Sequence, residues 1–130
     1  MRTLLENASI CWMARKPLED KYRFVGGFAD PRSGSYEEDA RREAEEEAGV
    51  EITTPEYVCS MAIDDWRYRN EVDKVVTTFF KSRVAFGRPE AGDDVCEVRW
   101  FDIGELNEDN LVSGHTDLLE VLKKKMKFKK

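Results

Sequence analysis

Residues 42–50 read Arg-Glu-Ala-Glu-Glu-Glu-Ala-Gly-Val, and their spacing leaves little freedom in what they can become. Ala40, Ala44 and Ala48 recur every four residues and form one narrow apolar stripe on a helix. Alanine lets such a helix lie close on a sheet. Ser35 suits the N-cap, with Glu38 three residues on as a capping box requires. Gly49 follows the last turn, where a left-handed cap favours glycine. The pattern predicts a helix over 36–48. Glu43, Glu46 and Glu47 stand at i, i+3 and i+4, so their carboxylates converge on one side. At about 100° per residue that side flanks the alanine stripe. A merely solvated acidic helix would place its glutamates opposite the core, and like charges at i, i+4 destabilise it. Carboxylates at the core's edge suit a hard divalent cation such as Mg²⁺, which takes oxygen ligands and keeps several waters.

Upstream stand Gly26-Gly27 and a turn-rich loop. Arg42–Val50 fits R-E-U-x-E-E-x-G-U at every specified position, U being aliphatic, and so resembles the helical core of the Nudix box of the Nudix hydrolases. The full family pattern is G-x5-E-x7-R-E-U-x-E-E-x-G-U. Here the loop 28–33 is one residue longer, and Gly34 stands where counting back from Arg42 requires glutamate. That glutamate mainly braces loop and helix in the family; Asp30 and Glu37 are the candidates to replace it. The usual Trp-x-x-Pro-Gly-Gly lead-in is here Tyr22-Arg23-Phe24-Val25-Gly26-Gly27, with valine for proline. The resemblance implies that Glu43, Glu46, Glu47 and the Gly26 carbonyl hold Mg²⁺, with Mn²⁺ as the alternative. It implies that Arg42 orients the glutamates, and that Glu43, Glu46 or an acidic residue before the last long strand takes a proton from water. Asp94 matches that last position best, although Gly-Asp-Asp is also good turn chemistry.

The segment Asp64-Asp65-Trp66-Arg67-Tyr68-Arg69-Asn70 offers two aromatic faces for a nucleobase and two guanidinium groups for phosphate. It falls where the family often keeps substrate-selecting residues; the plain alternative is an exposed hairpin loop. Arg15 and Arg23 are further phosphate candidates. His115, the sole histidine, reads as a cap or surface residue without a catalytic role.

The chain of 130 residues suits one domain, 1–130, ending in a lysine-rich stretch, 123–130. No run of about eighteen apolar residues exists, so no transmembrane helix is expected, and no signal-peptide pattern opens the chain. Cys11, Cys59 and Cys96 make neither a C-x-x-C pair nor a zinc spacing, and read as buried free thiols in a reducing cytoplasm. A net charge of −6 does not attract polyphosphates by bulk field, so a phosphate substrate needs bridging metal and local arginines. The lysines suggest an RNA or membrane-surface tail less than a solvated helix end. Nucleic acid and membrane are therefore disfavoured as partners, and a homodimer is compatible with the sequence.

Strands are expected at 2–5, 9–14, 23–25, 56–63, 74–86 and 96–101, a helical turn at 103–106, and a second helix at 116–125 with Leu118, Leu119 and Leu122 inward. Val76, Phe80 and Val84 are expected to form an inward row with Thr78. This mix implies helices on a mixed sheet. The resemblance adds an α/β class, the Nudix fold, an α/β/α sandwich with a mixed central β-sheet. It also implies hydrolysis of the diphosphate linkage in a nucleoside diphosphate derivative, most like ADP-ribose or another nucleotide sugar. The alternatives are a nucleoside triphosphate or dinucleoside polyphosphate pyrophosphohydrolase and a non-catalytic ligand sensor.

Overall fold

The computed structural model of the chain describes residues 2–7, 10–27, 29–63, 75–112 and 115–127. The strands are β1 (Arg2–Asn7), β2 (Ile10–Arg15), β3 (Val25–Gly26), β4 (Glu51–Ile52), β5 (Glu56–Ile63), β6 (Val75–Phe86) and β7 (Glu97–Asp102). Helix α1 spans Tyr36–Ala48 and α2 spans His115–Lys127, and a 3₁₀ turn covers Ile103–Glu105. One sheet runs β4-β6-β1-β2-β7, with β5 on β6 and β3 on β1. The β1–β6 pair is parallel and the other strand pairs are antiparallel, so the sheet is mixed.

The two helices pack on opposite faces. Ala40, Ala44 and Ala48 are fully buried with Leu5, Ala14, Val25 and Phe80 on one side. Leu118, Leu119 and Leu122 are buried with Leu4, Met13, Phe24 and Phe79 on the other. Adjacent strand residues alternate between the two cores, as the pleat demands. The expected inward row is only partly inward: Phe80 is buried and Val84 half-buried, whereas Val76 is 64% exposed. Among the described residues, α1 covers the Phe80–Val84 end of β6 and no helix covers the Val76 end.

One detail of register places the site. Leu5, Glu6 and Asn7 pair with Trp12, Cys11 and Ile10. Beyond Trp12 the hairpin strands diverge. Arg2 and Thr3 pair instead with Gly26 and Val25, while Ala14 bridges Arg23. The 23–26 segment is thus a wedge between β1 and β2.

Helix α1 begins and ends as its sequence dictates. The Glu38 amide donates to Ser35 Oγ at 3.1 Å, and Gly49 takes φ 67° at the C-cap. Its last carbonyls are satisfied from outside: Glu90 N–H donates to Ala48 O and Gly92 N–H to Glu47 O, at 2.9 and 3.0 Å. The α2 helix starts one residue before and ends two after the expected span, so Lys123–Lys127 belongs to the helix and not to a tail. Lys123 Nζ donates to Leu106 O. Of the three cysteines only Cys11 is buried; Cys59 is half-buried and Cys96 exposed, because Cys96 lies in the turn before β7.

A Cβ on Gly92 would stand 2.5 Å from the Glu46 carbonyl oxygen, a backbone atom that cannot swing away. Gly92→Ala should lower stability by about 1–3 kcal/mol and loosen the loop from the end of α1. Urea unfolding of the two proteins checks this; an unchanged midpoint would contradict it.

Candidate active site

The wedge, the following turn and α1 assemble the acidic cluster. Glu47 is 2% exposed, and its Oε2 accepts the Gly26 N–H at 2.9 Å. Glu43 lies over the turn, its Oε1 3.0 Å from where a Cβ on Gly27 would stand. Glu46, one turn out, is exposed. The three glutamates thus occupy three environments, from core to solvent.

Burial pushes the Glu47 carboxyl up to about 7; the neighbouring Glu43 and Asp94 add to the rise, against the Gly26 hydrogen bond and the Arg2 charge. Arg42 ties the other two. Its guanidinium donates to Asp39 Oδ1 (2.9 Å) and Glu43 Oε1 (3.1 Å), and lies 3.8 Å from Glu46 Oε1 and 3.7 Å from Asp30 Oδ2.

The loop is braced without a glutamate at position 34. Asp39 is fully buried and accepts both the Asp30 N–H and Arg42. Asp30 shares in this brace, while Glu37 is exposed and takes no part in it. Gly34 N–H donates to Glu38 Oε2 at 2.8 Å, and a Cβ there would stand 2.9 Å from that oxygen, so the carboxylate occupies the space a side chain would need.

Asp94 enters from the turn before β7. It is exposed and pairs with Lys16 at 3.0 Å; that hydrogen bond holds its carboxyl below the usual carboxylate range. Arg15 is engaged by Glu97 (3.3 Å) and the Glu19 carbonyl (2.9 Å). Tyr22 also donates to Glu97. Arg23 has a side chain only 4% exposed, paired with Glu19. Its Nε has no hydrogen-bond partner among the described residues. The Gly26 carbonyl accepts Arg2 Nη1 at 2.7 Å, and the Phe24 carbonyl accepts the same nitrogen at 3.1 Å. Trp66, Arg67, Tyr68 and Arg69 lie outside the described residues.

Sequence reading missed several participants. Asp39 had a visible signal, standing three residues before Arg42 and facing it on the helix. Arg2 had none, because only the divergence of β1 from β2 brings it to Gly26; Lys16 reaches Asp94 through the β2–β7 pairing, and Glu19 stands at the local spacing i, i+4 to Arg23. His115 is a correction: it is buried, not a surface residue, because α2 docks its first turn under the wedge.

Among the described residues no three acidic, histidine or cysteine side chains converge on one point as a set of metal ligands. Glu47 is turned to Gly26, and Glu43 and Glu46 to Arg42. The donor chemistry nonetheless fits a hard cation. Glu47 is a buried carboxylate with no ion pair among the described residues, and Glu43 and Asp94 both raise its carboxyl. Positive charge placed among them relieves all three.

The NUDIX domain family matches residues 3–122. No curated protein sequence matches the chain. Among solved structures, the chain is similar to a MutT NUDIX hydrolase from Burkholderia pseudomallei at 17% identity, TM-score 0.73, covering 91% of each chain. An ADP-ribose pyrophosphatase from Streptococcus suis is similar at 19% identity, TM-score 0.69, with 94% of this chain and 84% of that one covered. The NUDIX domain of Shewanella oneidensis NrtR, solved with ADP ribose, is similar at 16% identity, TM-score 0.73, with 96% and 85% covered. The chain belongs to the Nudix family, whose enzymes are pyrophosphohydrolases.

A carboxyl raised to about 7 binds a proton in the folded chain where the unfolded chain has lost it. Stability therefore falls as pH rises from about 4.5 to 7, and the deficit is complete above that window. Glu47→Gln removes the effect. In EDTA the variant should melt above wild type near about pH 8, and the gap should close toward about pH 5. Melting curves across that range decide it; a variant that melts below wild type at high pH would contradict it.

Proposed function

We propose that the chain hydrolyses the diphosphate linkage of a nucleoside diphosphate derivative, ADP-ribose or a similar nucleotide sugar, with Mg²⁺ or Mn²⁺ as cofactor. The observation that carries the reading is Glu47, a buried carboxylate held against the Gly26-Gly27 turn beside Glu43. Glu43, Glu46, Glu47 and the Gly26 carbonyl would hold the cation. Bound there, it neutralises diphosphate charge and makes water a better nucleophile.

The chain's own residues divide the remaining work. Arg42 keeps Glu43 and Glu46 apart and oriented, since it contacts both. Glu46 is the best-placed proton acceptor: it is open to water, and its contact with Arg42 is long at 3.8 Å. Asp94 is a weaker base, because Lys16 stabilises its charged form. Arg23 has a fixed, buried guanidinium whose Nε–H has no partner among the described residues, and it is proposed to meet a phosphate oxygen if the site opens to it. Arg15 is already engaged and serves mainly to hold Glu97.

The substrate class rests on the Gly26-Gly27-Phe28-Ala29-Asp30 lead-in, the Gly92-Asp93-Asp94 loop and the Leu118-Leu119 helix, which together look most like the ADP-ribose pyrophosphatase branch of the family, and on the fold shared with proteins that act on or bind ADP-ribose. Trp66 and Tyr68 are proposed to stack on the base, with Arg67 and Arg69 at phosphate. Three free thiols suit a reducing cytoplasm.

A panel of ADP-ribose, nucleotide sugars, nucleoside triphosphates and dinucleoside polyphosphates, with Mg²⁺ and with EDTA, tests the reading through released phosphomonoesters. Mg²⁺-dependent cleavage of ADP-ribose to AMP and ribose 5-phosphate is expected. Glu46→Gln should lower kcat by about 10²-fold or more. ADP-ribose binding without turnover would replace this reading with a ligand sensor. Trp66→Ala should raise KM or change the preferred substrate while leaving the melting temperature intact. Kinetics equal to wild type across the panel would remove the loop from substrate choice.

A further inference from the structure

Phe24 is the pivot of the wedge. It lies just before β3, fully buried, and both its peptide groups go to side chains. Its N–H donates to His115 Nδ1 at 3.1 Å, a buried bond between residues 91 positions apart. Its carbonyl accepts Arg2 Nη1. The His115 ring also stacks on the Phe24 ring, with centroids 5.7 Å apart and planes 13° apart. Two residues on, Gly26 N–H meets Glu47 and Gly26 O meets Arg2.

This arrangement has a physical cause. Arg23 turns its N–H and C=O toward Ala14 of β2, and Val25 and Gly26 pair toward β1. Phe24 stands where the segment passes from one neighbour to the other, so a strand ladder does not serve its N–H. A buried N–H without an acceptor costs about 1–3 kcal/mol. The acceptor comes from the first residue of α2, on the far face of the sheet from α1.

We propose that His115 is a positioning residue for the Gly26-Gly27 turn. By accepting the Phe24 N–H it fixes the height and twist of the wedge, and so presents the Gly26 N–H to Glu47 of the acidic cluster. Its influence on metal binding rests on the function proposed above, but the clamp itself does not. The feature that matters is an acceptor at the Nδ1 position. Asparagine can supply one, because its Oδ1 lies the same number of bonds from Cβ. Leucine cannot.

The experiment compares wild type, His115→Asn and His115→Leu by amide hydrogen exchange at Phe24 and Gly26, Mn²⁺ affinity from paramagnetic resonance of the free ion, and steady-state kinetics. His115→Leu should remain folded, lose protection at both amides, and bind Mn²⁺ about tenfold or more weakly, with kcat falling more than KM changes. His115→Asn should restore protection, affinity and kcat toward wild type. Protection and Mn²⁺ affinity unchanged in His115→Leu would overturn the proposal. So would a folded His115→Asn that loses protection at Phe24, an outcome that decides the matter even if the leucine variant does not fold. Failure of wild type to bind Mn²⁺ would sink the proposed function instead, while hydrogen exchange still judges the clamp.

Discussion

The bond from Gly26 N–H to Glu47 is the contact on which the site depends. It joins the wedge to α1 inside the core, and it does so through a carboxylate that burial makes expensive to ionise. Three features permit it. The alanine stripe brings α1 close to the sheet. The absence of a side chain at Gly27 lets Glu43 settle over the turn. The 90–92 segment takes up the carbonyls that the end of α1 would otherwise leave unmet.

Charge is distributed by one arginine. Arg42 meets four carboxylates, Asp30, Asp39, Glu43 and Glu46, and so couples the loop before the helix to its outer glutamates. The network also accounts for Gly34. Bracing in this chain has passed to Asp39, a residue inside the helix, whose carboxylate holds the loop from below. The loop needs nothing at position 34 beyond an N–H that caps Glu38.

Much of this was legible in the sequence, and the divide is instructive. Helix α1, its two caps and its buried stripe followed from local spacing, since i, i+3 and i+4 relations are fixed by helical geometry. The inward leucines of α2 followed from the same kind of periodicity, and the expected strand at 56–63 matches β5. What escaped depends on long-range register. That β1 leaves β2 after three pairs, admitting 23–26 between them, is written in no local pattern. Consequently Arg2 and His115 could not be placed, and neither could Lys16, which the β2–β7 pairing carries to Asp94. Val76 misled for a related reason: alternation says which face a residue takes, but not how far along a strand the helix above it reaches.

Phe24 is gripped by a side chain from position 2 and by another from position 115, and the intervening chain supplies the helix that Gly26 addresses. The wedge is therefore a keystone in time as well as in space. Local contacts can order α1 early, and the Gly26–Glu47 bond spans only 21 residues, but the Phe24–His115 bond closes a loop of 91, whose entropic cost is greater. During synthesis Gly26 and the acidic helix would emerge together, well before the side chain that secures the Phe24 N–H. The finished site would arrive only when the first turn of α2 does.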